Sequence, residues 1–196
     1  MGSSQPISRL SPEAYLEWEK TQPEKHEYLN GEVFAMVGAR DAHVTVAGNV
    51  FALLREHLRG GPCRVYISDM KLRVEAANAF FYPDVFVTYD PRDRTQDYYK
   101  SHPILVIEVL SDSTAAFDRG RKFAIYRQLD SLREYVVIDP ESCTMDCFRR
   151  DASGHWVLYA FEGESTVEFE SVDFKVTLGA LFEDVEQPAG EQQTGG

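Results

Sequence analysis

Two acids stand where acids are costly. Asp84 lies in Phe80-Phe81-Tyr82-Pro83-Asp84-Val85-Phe86-Val87, and Glu108 lies in Ile104-Leu105-Val106-Ile107-Glu108-Val109-Leu110. Each interrupts a run that otherwise reads as a central strand. A carboxylate in such a place must be paired, strongly hydrogen-bonded or bound to a cation. Pro83 cannot donate to a sheet ladder, so it marks a strand start, an edge or a bulge and lets Asp84 be aimed at a site. If the two strands are neighbours, two hard oxygen ligands converge on a divalent ion. Mg²⁺, with Mn²⁺ as the alternative, suits one or two carboxylates completed by water and substrate phosphate.

Asp118-Arg119-Gly120-Arg121-Lys122 follows, with Asp118 as candidate N-cap of a basic helix and Lys122 in its early turns. Lys122 can then return towards the Glu108 strand end, where an ammonium orients water or stabilises charge on phosphorus. The competing reading is structural: an ion pair of either acid with Lys71, Lys122 or Arg127, and a solvated Lys122. The two acids together, followed by the basic helix, favour the metal.

Other residues carry less. Asp69, in Ile67-Ser68-Asp69-Met70, falls where the strand alternation changes phase, which suggests a bulge or inward turn and an outer place at the site. The histidines at 26, 43, 57, 102 and 155 lack metal-ligand spacing. His43 could face the site, with packing as its favoured role. A phosphate loop, a dinucleotide-binding glycine fingerprint, a nucleophile elbow and a zinc-protease helix motif are all absent from the sequence.

The elements that must position these residues are legible from spacing and punctuation. Ser11-Pro12-Glu13 is a helix start, with Ser as N-cap and Pro at the first helical position, and the helix ends near Thr21. Strands His26–Leu29 and Glu32–Val37 flank Asn30-Gly31, a two-residue hairpin turn. Val46, Val50, Leu53, Leu54 and Leu58 recur at helical spacing over 41–58, before Gly60-Gly61-Pro62. Arg64–Glu75 and Phe80–Thr88 each read as one strand, and Tyr89 to His102 as a polar loop. Pro103–Leu110 reads as a strand buried on both faces. A helix begins between Thr114 and Arg119 and reaches Leu129. Strands follow at Glu134–Asp139, Cys143–Arg149, Trp156–Phe161 and near Thr166–Phe169, then a helical turn at Leu178–Phe182. This order predicts an α/β fold with a mixed central sheet flanked by helices.

The chain has 196 residues, of which 43% are hydrophobic and 27% charged, so one core without staples is expected. The expected organisation is a flexible 1–10, one domain over 11–186 and a disordered tail over 187–196. No run approaches the roughly 18 apolar residues of a membrane span. Three cysteines without a recognisable leader point to a reducing cytoplasm. The net charge of −12 disfavours avid polyanion binding, yet residues 151–196 hold only Lys175 against ten acids. Arg119–Arg150, by contrast, carries seven bases against five acids.

Taken together, several motifs resemble one known family. They are Tyr82-Pro83-Asp84, Ile107-Glu108-Val109-Leu110-Ser111, Ser113-Thr114 with Asp118, Lys122 and Tyr126, and Leu132-Arg133-Glu134-Tyr135. They resemble the Uma-type endonucleases of the PD-(D/E)xK superfamily. Glu27-Tyr28-Leu29-Asn30-Gly31-Glu32-Val33 matches the family's N-terminal hairpin, and the resemblance spans Ser11 to Asp139. It implies a restriction-endonuclease-like core closed by a C-terminal hairpin. It also implies Asp84 and Glu108 as metal ligands, Lys122 as catalytic lysine and Glu27 as an accessory acid. The superfamily lysine lies two residues after the second acid, where this chain has Leu110, so Lys122 replaces it from the following helix.

The function expected is Mg²⁺-dependent hydrolysis of phosphodiester bonds in a nucleic acid, DNA first. The ion is expected on Asp84, Glu108 and the Val109 carbonyl, and a homodimer is the expected assembly. Two alternatives stay open: a relict nucleic-acid- or protein-binding module, favoured by the acidic balance, and a small-phosphoester hydrolase using the same acids.

Overall fold

The computed structural model describes residues 9–36, 38–111 and 114–186. Val37, Ser113 and the segments 1–8 and 187–196, on which parts of the sequence reading fall, lie outside the described residues. Helix α1 (Pro12–Glu19) is capped as expected, Ala14 N–H donating to Ser11 Oγ at 3.2 Å. Strands β1 (His26–Leu29) and β2 (Glu32–Ala35) form the hairpin, with Asn30 and Gly31 at φ 51° and 94°. The Gly31 carbonyl accepts Leu10 N–H at 3.0 Å, which ties the entering chain to the turn. Helix α2 (Asp41–His57) turns Val46, Val50 and Leu54 inward.

Each of the two long strands expected next is broken into two. Arg64–Glu75 becomes β3 (Arg64–Ile67) and β4 (Lys71–Val74), and Phe80–Thr88 becomes β5 (Ala79–Phe81) and β6 (Val85–Thr88). The breaks have local causes. Ser68 takes φ 33°, outside any strand conformation, and Pro83 removes a ladder donor. At both breaks the chain passes from one sheet to another. Next come a 3₁₀ turn (Pro91–Thr95), the short β7 (Tyr99–Lys100) and β8 (Pro103–Val109), which is buried at every position.

The helix after β8 runs from Ala115 to Tyr126, but its middle, Asp118–Lys122, is a π turn. Asp118 is therefore inside the helix and not its N-cap; Thr114 stands at the cap. Strands β9 (Glu134–Asp139), β10 (Thr144–Arg150) and β11 (Trp156–Phe161) complete the central sheet. A separate ribbon of β12 (Thr166–Phe169) and β13 (Phe174–Thr177) leads to a last helical turn, Leu178–Leu181. The sequence reading had not found β13.

The central sheet has the order β11-β10-β9-β8-β6-β3 and is antiparallel except between β8 and β9. The second sheet, β2-β1-β5-β4-β7, takes in the N-terminal hairpin. On β8, Leu105, Ile107 and Val109 pack with Val46, Val50 and Leu54 of α2 and with Phe169 and Leu181. The opposite face, with Val106 and Leu110, packs on Ile125, Tyr126 and Leu129. The central sheet is thus covered by one helix on each face, which is the α/β arrangement expected. Among the described residues no helix is long and apolar enough to cross a membrane.

Candidate active site

The β6–β8 register pairs Val85 with Ile107, so the next step places Asp84 and Glu108 at facing positions just where β6 begins. Asp84 belongs to neither ladder fully. Its carbonyl accepts Ser68 N–H at 3.1 Å, and its Oδ2 accepts Val109 N–H at 2.8 Å. Leu110 N–H bonds across to Ile138 on β9. Alternation along a strand therefore turns the main-chain groups of Val109 the other way, to the Asp84 side.

Glu108 is 3% exposed. Its Oε1 accepts the Tyr126 hydroxyl at 2.9 Å and lies 3.1 Å from Lys122 Nζ. The same ammonium is 3.2 Å from Glu27 Oε1 and 3.3 Å from Asp118 Oδ1. The π turn brings Asp118 and Lys122 inward together, both buried. Glu27, on β1, belongs to the other sheet, and Tyr82 N–H meets its Oε1 at 3.4 Å. Tyr135 steadies the helix by donating its hydroxyl to the Asp118 carbonyl at 2.8 Å.

The structure thus gathers Glu27, Asp84, Glu108 and Lys122 into one cluster. It adds Asp118, expected as a helix cap, and His43, for which facing the site was weighed but packing favoured. Asp118 was read as a cap because acids are common there, and the extra residue of a π turn leaves no signal in apolar periodicity. Asp69 is not brought in: its side chain is mostly exposed and pairs with Lys25.

Four carboxylates face one ammonium and one imidazole, so negative charge is in excess. Burial pushes the Glu108 carboxyl well above the usual carboxylate range; Lys122 opposes this, and Asp118, Asp84 and Glu27 add to it. Burial works against the Lys122 charge, but Glu108, Glu27 and Asp118 outweigh it and hold the ammonium protonated. Burial would lower the His43 pKa, yet the Asp84 carboxylate and the Val109 carbonyl raise it above its ordinary value.

A cation fits this donor set. Among the described residues no three His, Cys, Asp or Glu side chains form a ready-made cage. Two carboxylates, a main-chain carbonyl and water are what Mg²⁺ accepts. A crevice of about 170 Å³ opens beside His43, lined also by Arg40, Leu110, Ser111, Asp139 and Glu141. Three of the seven bases in the stretch 119–150 are engaged by acids of the same chain. Arg119 pairs with Asp139 and Asp146, Lys122 with the site acids, and Arg149 with Glu134 and Glu170.

The family model described as "Uma2: Putative restriction endonuclease" matches residues 12–179, which include every member of this cluster. The chain belongs to the Uma2 family. Two Synechocystis proteins are similar over nearly their whole lengths. One, "Uncharacterized protein slr1290", is 36% identical over 179 residues, covering 91% of this chain and 94% of its own. The other, "Uncharacterized protein sll1609", is 31% identical over 163 residues, covering 82% and 92%. Among solved structures, a "putative nuclease belonging to DUF820" from Anabaena variabilis superposes with a TM-score of 0.71 at 15% identity. It covers 88% of this chain and 97% of its own. That likeness gives the Uma2 chain a restriction-endonuclease-like fold.

Proposed function

We propose that this Uma2 protein is a metal-dependent nuclease that hydrolyses phosphodiester bonds, with DNA as substrate. One observation carries the reading: Asp84 and Glu108 take facing positions beside a buried Lys122, in a cluster where acids outnumber bases. Asp84, Glu108 and the Val109 carbonyl are the groups that would hold Mg²⁺, with Mn²⁺ as substitute. When bound, the ion supplies Lewis acidity towards a phosphate oxygen and a more acidic water. Lys122, kept charged by its three acids, offers an ammonium to orient that water or to balance charge developing on phosphorus. Glu27 and Asp118 hold the ammonium in place, and Tyr126 donates to Glu108 Oε1, the oxygen that also meets Lys122. A homodimer cutting both strands in a reducing cytoplasm is the assembly and compartment that accord with this reading.

Wild type and Asp84→Ala are to be compared on supercoiled plasmid and on single-stranded DNA, with Mg²⁺, Mn²⁺ or EDTA. Low salt is used because phosphate contacts weaken as ionic strength rises, and a chain of charge −12 gains no long-range attraction to a polyanion to offset that loss. Metal-dependent cutting that the variant lacks is the expected result. Undiminished cutting by Asp84→Ala overturns the assignment. Binding without turnover under any divalent ion replaces it with the relict module, and cleavage of small diesters alone with the small-phosphoester hydrolase.

A further inference from the structure

His43 stands in the first turn of α2, the helix on the opposite face of the central sheet from Lys122. Its Nε2 lies 3.3 Å from Asp84 Oδ2, the oxygen that already accepts Val109 N–H at 2.8 Å. Among the described residues Asp84 Oδ2 thus accepts from Val109 N–H with the His43 ring within ion-pair reach, while no donor meets Oδ1. A carboxylate engaged through Oδ2 alone leaves Oδ1 available to a further partner. The other ring nitrogen, Nδ1, is shut off from solvent with no partner among the described residues. A histidine present only to fill space would not leave a buried polar atom unmet while aiming its other nitrogen at a carboxylate.

We propose that His43 is a positioning residue of the cation site. It steadies Asp84 through Oδ2, so that Asp84 Oδ1 and the Val109 carbonyl are left to form the open side of the site. This rests on Asp84 and Val109 being cation ligands. Residues that orient a ligand without touching the metal commonly set its affinity, with losses of about 10–100-fold on removal.

The test is Mn²⁺ binding, followed by electron paramagnetic resonance of free Mn²⁺ and by calorimetry, with no substrate present. A glutamine amide reaches the place of Nε2 and can donate to Oδ2, whereas an asparagine amide reaches only the place of Nδ1. The expected result is near-wild-type affinity for His43→Gln and a loss of about 10–100-fold for His43→Asn and His43→Ala. His57→Gln, at the far end of the same helix where Nε2 meets the Val172 carbonyl at 3.0 Å, keeps wild-type affinity. Equal affinity in His43→Gln and His43→Asn overturns the positioning role, even if Asp84→Ala abolishes binding. If Asp84→Ala also binds Mn²⁺ as wild type does, the cation assignment falls as well.

Discussion

The Lys122 ammonium and the Glu108 carboxylate lie 3.1 Å apart, and both are almost wholly excluded from water. A buried pair of this kind adds little net stability while both partners are present, but removing one strands the other. The consequences differ for the two residues, because the site holds more acids than bases.

Lys122→Met leaves Glu27, Glu108 and Asp118 without their common counter-charge. Urea unfolding of the metal-free variant should show a loss of about 3–5 kcal/mol. Adding Glu108→Gln to it should recover part of that loss, the sign of coupling between touching residues. Additive effects in the double mutant would break the link between the two.

Glu108→Gln alone should do the reverse. Its carboxyl is pushed up by burial and by neighbouring acids. A group whose folded pKa lies above its unfolded value contributes stability that is present in full below the unfolded pKa and is lost as pH rises through the folded one. In EDTA, Glu108→Gln should therefore melt above wild type at around pH 8, with the gap closing towards around pH 5. Differential scanning calorimetry at the two pH values checks this. The same variant should no longer be stabilised by added Mg²⁺.

Tyr126→Phe removes one hydroxyl and no volume of consequence. That hydroxyl is the only hydrogen-bond donor to Glu108 Oε1 besides Lys122 among the described residues. Hydrogen bonds to charged groups are worth about 1.5–3 kcal/mol, and a urea titration of the metal-free protein should show a loss in that range. No loss at all would mean that the carboxylate is satisfied by Lys122 alone.

Arg149 offers a contrast remote from the site. It meets Glu134 at 2.8 Å and Glu170 at 2.7 Å, and its guanidinium also donates to the Glu168 carbonyl. Glu134, 1% exposed, accepts in addition from the Ser171 N–H at 2.8 Å. The network fastens the β12–β13 ribbon to the central sheet. Arg149→Met should cost about 3–5 kcal/mol in urea unfolding and expose the ribbon to limited proteolysis. Mn²⁺ affinity of the folded protein should not change.

What could be read from the residues is unevenly spread. The hairpin, α2, β8 and β9 were legible because each is announced by strong local physics: positive φ at Asn30-Gly31, helical spacing in α2 and unbroken apolar runs in the strands. Asp84 and Glu108 stood out for the same reason inverted, as charges inside such runs. The split of Arg64–Glu75 and Phe80–Thr88 was legible only as local irregularity, a change of phase at Asp69 and a missing donor at Pro83, because neither signal says that the chain passes to another sheet. The π turn was hidden too, since Asp118 and Lys122 are four apart, a spacing an ordinary helix also places on one face. His43 was legible only as a residue near the site. Its contact with Asp84 depends on how α2 crosses the sheet, which no local pattern encodes.

The two breaks have an architectural consequence. At Ser68-Asp69-Met70 and at Tyr82-Pro83-Asp84 a single stretch of chain serves both sheets, and these crossings bring Glu27 of one layer against Lys122 and Glu108 of the other. The crossings act as stitches, and the acids are where the seam is drawn tight. New chain ends opened in the exposed turn at 151–154 leave both stitches whole, so such a permutant should keep its cation affinity. Ends opened at 68–70 cut one of them and should separate the acids without touching any of them.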